Sequence, residues 1–150
     1  KPLYPLYELD SKVLKRDFYR KLPFEDSSFD AVYSYQSMCH NKLKKIRKFL
    51  NECHRILKNG GILSIKDGVD REVIKRGKYH HMGPKLKRKL MLIEDNTYLP
   101  VGEDDLEKGL IHHEFSMKNL VREVISSGFN LINKRRLKKG SMGILNFRKI

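Results

Sequence analysis

At 150 residues the chain suits a single domain with a real core. Its 32 Lys and Arg against 18 Asp and Glu leave a formal charge of +14, which favours solubility and attraction to polyanions but carries no information about fold. No apolar run approaches the ~20 residues a membrane helix needs. No signal peptide is visible. Cys39 and Cys53 lack metal-ligand spacing and read as reduced thiols of an intracellular, cytoplasmic protein.

Residues 1–11 carry Pro2 and Pro5 among Leu and Tyr, and two prolines so close argue against a helix. Residues 13–18 read as a short strand ending near Asp17. The acidic, Ser-rich run Glu25-Asp26-Ser27-Ser28 is a turn by composition. A strand follows over 29–35, nearly continuous in apolar and aromatic residues, as expected when helices cover both faces of a sheet. Residues 42–57 repeat apolar positions at steps of three and four (Leu43, Ile46, Phe49, Leu50, Cys53, Ile56, Leu57), which predicts an amphipathic helix with a basic outer face. Asn59-Gly60-Gly61 stops it, and Ile62 begins a strand to Lys66. Strand, helix, glycine turn, strand is a βαβ unit, the building block of parallel sheets.

Residues 71–89 are strongly basic, and Lys85, Lys87, Arg88 and Lys89 are a candidate polyanion patch. The adjacent pair His80-His81 has no third ligand at metal spacing, so no metal site is expected. Gly83-Pro84 breaks the segment, and Leu86, Leu90, Met91 and Ile93 suggest a helix beyond it. Residues 96–111 read as a loop. Ser116 is a helix N-cap, with Phe115 and Leu120 spaced as a hydrophobic staple, and Leu120, Val121, Val124 and Ile125 form a buried stripe. Gly128 ends that helix. Strands follow over 129–132 and 141–147, joined by a basic connection over 134–140.

The run "DFYRKLPFEDSSFDAVYSYQSMCH" followed by "FLNECHRILKNGGILSIKD" resembles class I S-adenosylmethionine (SAM) dependent methyltransferases of the methyltransferase-11 and TehB-like kind. The family pattern there is "LPFxDxSFDxVxS" and then "RxLKPGGxL", with Asn59 in place of the family's Pro. "TYLPVGEDDLEKGLIHHEFS" is similar to a loop of the TehB-like branch. The resemblance implies an α/β, Rossmann-like fold whose mixed sheet closes in an antiparallel hairpin, the last strand lying between two parallel ones. It implies SAM as cofactor. Asp17 would accept from the adenine amino group and Phe18 would cover the ring or offer its backbone N–H. Ser34, Tyr35 and Gln36 would form the cofactor and acceptor corner at a strand's carboxyl end. Asp67 and His113 would lie on the acceptor side. Chemistry would be in-line displacement at the SAM methyl, so no universal catalytic residue is expected.

The family also opens with a strand, a Gly-rich turn and an acidic ribose clamp. All ten glycines lie at or after Gly60, and Glu8 and Asp10 are too close to Asp17 for a helix to intervene. The expectation is therefore a methyltransferase domain over 1–150 without its first strands, truncated or degenerate. Such a chain alone should bind SAM more weakly than roughly 100 μM, about 5.5 kcal/mol, and should self-associate through uncovered sheet edges. The acceptor is a small molecule or RNA. An alternative function is a non-catalytic, degenerate methyltransferase domain that binds a partner or RNA through its basic faces. A nicotinamide dehydrogenase is disfavoured because no G-x-G-x-x-G is present.

Overall fold

A computed structural model describes residues 12–82, 87–137 and 141–150. The readings placed on 1–11, 83–86 and 138–140 lie outside the described residues, Lys85 and Leu86 among them.

The first unit of structure is the βαβ expected from sequence. Strand β1 (Phe29–Tyr35) leads into helix α1 (Leu43–Ile56), which returns the chain to β2 (Leu57–Gly68), parallel to β1. Helix α1 buries Ile46, Phe49, Leu50, Cys53 and Ile56, the stripe its spacing predicts. The helix stops earlier than expected, and Leu57 already pairs with Phe29. The ladder is then irregular between Phe29 and Ala31, where Gly60 at φ +79° and Gly61 carry the slack. A Cβ on Gly61 would stand 2.8 Å from the Lys58 carbonyl oxygen, so the second glycine is a steric requirement.

The chain closes with α2 (Met117–Ile125), β8 (Phe129–Arg136) and β9 (Met142–Lys149). The sheet order is β1-β2-β9-β8, with β9 antiparallel to both β2 and β8. This is the closing hairpin expected from the resemblance. Ser116 caps α2 by accepting from the Asn119 N–H at 3.1 Å, and Phe115 and Leu120 are both buried. Ile125 departs from the expected stripe and is exposed.

Both helices lie on the same face of this sheet. Leu63 and Ile65 of β2, and Leu145 and Phe147 of β9, share one core cluster with α1 and α2. Each of these side chains is fully buried and contributes about 1.5–3 kcal/mol of apolar transfer. The expectation that helices cover both faces is not met among the described residues. The alternate residues of β1 tell the difference: Ser34 is buried, whereas Tyr33 and Tyr35 are 63% and 51% exposed. Among the described residues nothing covers the face that carries Tyr33 and Tyr35.

The segment 13–18 is not a strand. It has no regular structure, and Val13 is 96% exposed. Two apolar residues beside three cations give no burial that would hold an extended pairing.

The largest difference lies between β2 and α2. Residues expected as a basic stretch, a helix and a loop form a second, antiparallel sheet, β3-β4-β5-β6-β7. Its strands are β3 (Val73–Arg76), β4 (Tyr79–Met82), β5 (Arg88–Glu94), β6 (Thr97–Pro100) and β7 (His112–His113). Gly77-Lys78 and Asp95-Asn96 are tight turns between strands, with Gly77 and Asn96 at positive φ. Leu90 pairs across to His80 and Pro100 and is buried with Met82 and Tyr98. The Leu90, Met91, Ile93 spacing fits a helix as well as a strand, and cross-strand burial decides for the strand.

Gly128, at φ +91°, links α2 to β8, and a Cβ there would lie 2.7 Å from the His54 ring on α1. Gly128→Ala should therefore destabilise the fold by roughly 1–3 kcal/mol, through backbone strain and a clash with a packed ring. Urea unfolding checks this, and an unchanged midpoint would remove Gly128 as a constraint.

Candidate functional site

In open α/β sheets the chain leaves room for ligands beyond the carboxyl ends of the parallel strands. Here those ends are Tyr35 of β1 and Gly68 of β2. Gln36 follows β1 with φ +45°, an uncommon conformation for a side chain larger than glycine's. It is over-determined by its surroundings. Its N–H donates to the Lys66 carbonyl at 2.8 Å, and its own carbonyl accepts from His40 Nε2 at 2.9 Å. Ser34, buried, shares a 3.0 Å hydroxyl contact with Ser37. The Tyr35 ring faces the open side, with Lys66 Nζ 4.5 Å from its centroid. Ser34, Tyr35 and Gln36 thus share one corner, but Ser34 and Tyr35 point to opposite faces.

Asp17 lies in the segment that leads into this corner. Its two carboxylate oxygens accept from the Tyr19 N–H at 3.0 Å and from Arg20 Nε at 3.2 Å, and its side chain stays about half exposed. It lines a groove of about 600 Å³ together with Lys15, Arg16, Arg20 and Lys21. The Phe18 ring packs against Tyr19 and Phe49, with centroids 4.3 and 5.3 Å away. The Tyr19 hydroxyl donates to the Met38 carbonyl at 2.9 Å, which ties the lead-in to the turn after β1. Burial pushes the Tyr19 phenol well above its usual range, so it stays a donor.

At the end of β2 lies a buried polar junction that sequence reading touched only at Asp67 and His113. Asp67 is 4% exposed. One of its oxygens accepts from the Gly68 N–H, and the other is buried without a hydrogen-bond partner among the described residues. Burial, and then the Asp67 carboxylate, push the neighbouring Cys39 thiol up, so Cys39 is an inert, protonated thiol. Arg71 lies against Gly68, where a Cβ would fall 2.7 Å from its guanidinium carbon. Arg71 Nε donates to Glu114 Oε2 at 2.7 Å. Glu114 is itself buried, with Oε1 unpartnered, and burial holds its carboxyl above the ordinary range against the pull of Arg71. Arg71, Glu114, Asn96, Tyr98 and Asn119 line a cavity of about 250 Å³ at this junction.

His113 stands behind that cavity. It is buried, with Nδ1 2.7 Å from Thr97 Oγ1, its ring on Phe115, and its N–H donating to the Cys39 carbonyl at 2.8 Å. His112 points the other way, to His40 (4.4 Å between rings) and Glu107 (3.4 Å). Cys39, Arg71, Glu114 and His112 had no local signal in the sequence. Chain segments far apart bring them together, and no spacing rule reaches across a sheet insertion. Among the described residues no group of three or more His, Cys, Asp or Glu could hold a metal ion.

Comparison with known proteins agrees with this geometry. Residues 5–65 match the family model described as a methyltransferase domain. A solved SAM-dependent methyltransferase from Methanosarcina mazei superposes with a TM-score of 0.62 at 19% identity, covering 90% of this chain and 65% of that one. This is the class I SAM-dependent methyltransferase fold. A Burkholderia thailandensis 1,6-didemethyltoxoflavin-N1-methyltransferase, solved with 1,6-didemethyltoxoflavin and S-adenosylhomocysteine bound, is also similar. Its TM-score is 0.56 at 15% identity, covering 83% of this chain and 45% of that one. In sequence, the chain is 34% identical over 65 residues to sterol methyltransferase-like 3 of Botryococcus braunii, covering 39% of this chain. The chain spans 16% of that relative's length.

The junction has a pH signature. Burial and the neighbouring His40 hold His112 down to about 4, opposed by Glu107 and assisted by Arg88 and Arg71. Above pH 6.5 both folded and unfolded chains carry neutral His112. As the pH falls, the unfolded chain takes up its proton first, so stability is lost from about pH 6.5 down to about pH 4. The expected loss is about 1–2 kcal/mol after allowance for solvent screening. His112→Gln should flatten the fall in urea-derived stability over that window. An equally steep fall in the variant would refute the assignment.

Proposed function

We propose that the chain forms part of a SAM-dependent methyltransferase acting on a small-molecule acceptor. The observation that carries this is the corner at the carboxyl ends of β1 and β2, which holds the strained Gln36 turn and the buried Asp67, with Arg71 and Glu114 lining a cavity beyond the end of β2. The methyltransferase match over 5–65 and the fold likeness support it.

The described residues fit the adenine end of the cofactor. Asp17 keeps half its side chain exposed at a groove, so lone pairs remain for an adenine amino group. The Phe18 ring is spent on Phe49, which leaves its backbone N–H as the contribution to adenine. Ser34 and Gln36 shape the corner between cofactor and acceptor, whereas the Tyr35 ring is turned to the other face and contributes only its backbone there. Residues 12–16 hold neither a glycine nor a carboxylate, so contacts to the ribose and methionine parts do not come from them. When bound, SAM would supply an electrophilic methyl group.

What remains for the protein is positioning and water exclusion. On the acceptor side, the Arg71–Glu114 pair borders the cavity and Asp67 is buried at the end of β2, while His113 holds Thr97 and the Cys39 backbone. The Asn96 and Asn119 amides and the Tyr98 hydroxyl supply hydrogen-bonding groups for an uncharged acceptor. The small heterocycle held by the Burkholderia enzyme supports an acceptor of this size class. We take 1–150 as one domain, because the second sheet joins the first through Arg71–Glu114 and the Val69–Phe115 bridge.

Saturation-transfer NMR with SAM is suited to weak binding and tests the reading directly. SAM should receive saturation, most strongly at its adenine protons. Asp17→Ala should weaken that binding by about 1.5–3 kcal/mol, the range for a hydrogen bond to a charged acceptor. No transfer to SAM, or an unchanged signal in a folded Asp17→Ala variant, would overturn the assignment.

A further inference from the structure

Three arginine–carboxylate pairs of this chain close as two-bond forks. Arg47 holds Glu123 at 2.7 and 3.1 Å, Arg55 holds Glu52 at 3.0 and 2.8 Å, and Arg88 holds Asp105 at 2.9 and 3.2 Å. Arg71–Glu114 does not close. Arg71 Nε donates to Glu114 Oε2 at 2.7 Å, but neither terminal nitrogen of Arg71 bonds to Glu114. Glu114 Oε1 is buried without a partner among the described residues, on a side chain only 7% exposed. A buried acceptor left unmet is costly, and in a native fold it calls for a missing partner.

The open half of this fork lines the cavity of about 250 Å³ beyond β2. All the lining lies between Asp70 and Asn119, so the cavity belongs to one continuous stretch of chain. Val73, Tyr98 and Phe115 give it apolar walls, and Asn96 and Asn119 bring amides. Asp70, the other carboxylate of the lining, is already taken by Arg136 and by the Met117 N–H. At Glu114 the pull of Arg71 is opposed by Asp67, so the surroundings favour neither a net anion nor a net cation. A partner that closes the fork must carry an N–H beside a C=O, which is the edge of a cis amide. A carboxylate would be repelled by Oε1, and an ammonium would offer nothing to the guanidinium.

We propose that the cavity recognises a small, neutral, planar ring with a lactam edge, its N–H given to Glu114 Oε1 and its carbonyl to the Arg71 guanidinium. A volume of about 250 Å³ falls below the roughly 300–1,000 Å³ of drug-sized sites and suits a single ring. The proposal rests on the acceptor-side reading above and names the class of acceptor. Glu114 and Arg71 act in it as specificity residues, and no proton transfer is assigned to them.

Saturation-transfer NMR with uracil, a one-ring lactam, tests this on the 150-residue chain without SAM. Uracil should receive saturation, with the millimolar affinity expected of so small a molecule. 1,3-Dimethyluracil keeps the carbonyls but has no N–H, and should bind about tenfold more weakly. Benzoate and benzylamine, charged single rings, should not compete. Glu114→Gln should weaken uracil binding about tenfold, and Arg71→Lys about fivefold. Arg47→Lys opens a fork outside the cavity and should leave uracil binding unchanged. Circular dichroism confirms that each variant is folded. Should Glu114→Gln unfold, the two uracils on the unaltered chain still decide. Equal binding of both uracils, equal loss in Arg47→Lys and Arg71→Lys, or no saturation of uracil would overturn the proposal, the last by leaving the open oxygen to an ordered water alone. A parallel titration with SAM separates the two readings. SAM binding without uracil binding would overturn the lactam class only, whereas uracil binding without SAM binding would support it and count against the methyltransferase reading.

Discussion

Strand β2 is the constraint on which the rest of the structure depends. It pairs parallel with β1 and antiparallel with β9, so it fixes the direction of every strand in the first sheet. Its alternation sends Leu63, Ile65 and Asp67 toward the helices and Ser64 and Lys66 away from them. A one-residue slip would exchange the two sets, exposing two fully buried side chains and burying a lysine. The same strand ends in the buried Asp67 and in Gly68, and Arg71, three residues after Gly68, lines the cavity. Register in the core therefore sets geometry at the candidate site.

The junction beyond β2 places charge where the surroundings resist it. Glu114 and Asp67 are both buried, and each leaves one oxygen unpartnered among the described residues. Such groups cost folding energy, on the order of 1–3 kcal/mol each when neutral partners are missing. A fold optimised for stability alone would fill this space with apolar side chains. Arg71 offsets part of the cost, and Gly68 exists to let it approach. Strain in the Gln36 turn lies at the neighbouring strand end. Buried polar groups and backbone strain concentrated at adjacent strand ends are the signature of a site that does chemistry or binding.

What was legible in the sequence follows from the range of the forces involved. The α1 stripe, the Ser116 cap and the Gly128 stop are local, and each was readable within one or two helical turns. The βαβ unit followed from the local pattern of strand, helix, glycine turn and strand, and the inserted final strand from the resemblance. The second sheet was not legible, because its strands are short and rich in Lys, Arg and His. Pairing between segments, as of Leu90 with His80 and Pro100, decided their structure, and a single-chain pattern does not encode a pairing partner. Leu90, Met91 and Ile93 suit either period. The exposure of Tyr33 and Tyr35 was hidden for the opposite reason: an aromatic run reads as buried whichever side it faces. Of the candidate site, Asp17, Gln36 and Asp67 came from motif position, whereas Glu114 and Arg71 needed the three-dimensional junction.

The division of labour among cations explains how a strongly basic chain stays compact. Among the described residues, Arg47, Arg55, Arg71, Arg88 and Arg136 pair with Glu123, Glu52, Glu114, Asp105 and Asp70. Each pair joins separate segments or stiffens a turn of helix, and most use the planar guanidinium fork that a lysine lacks. Acidic side chains are thus spent largely on arginine inside the architecture. The excess positive charge falls to lysines and to the few arginines left outside these pairs. Spread over α1's outer face, such charge is solvated and repels itself weakly.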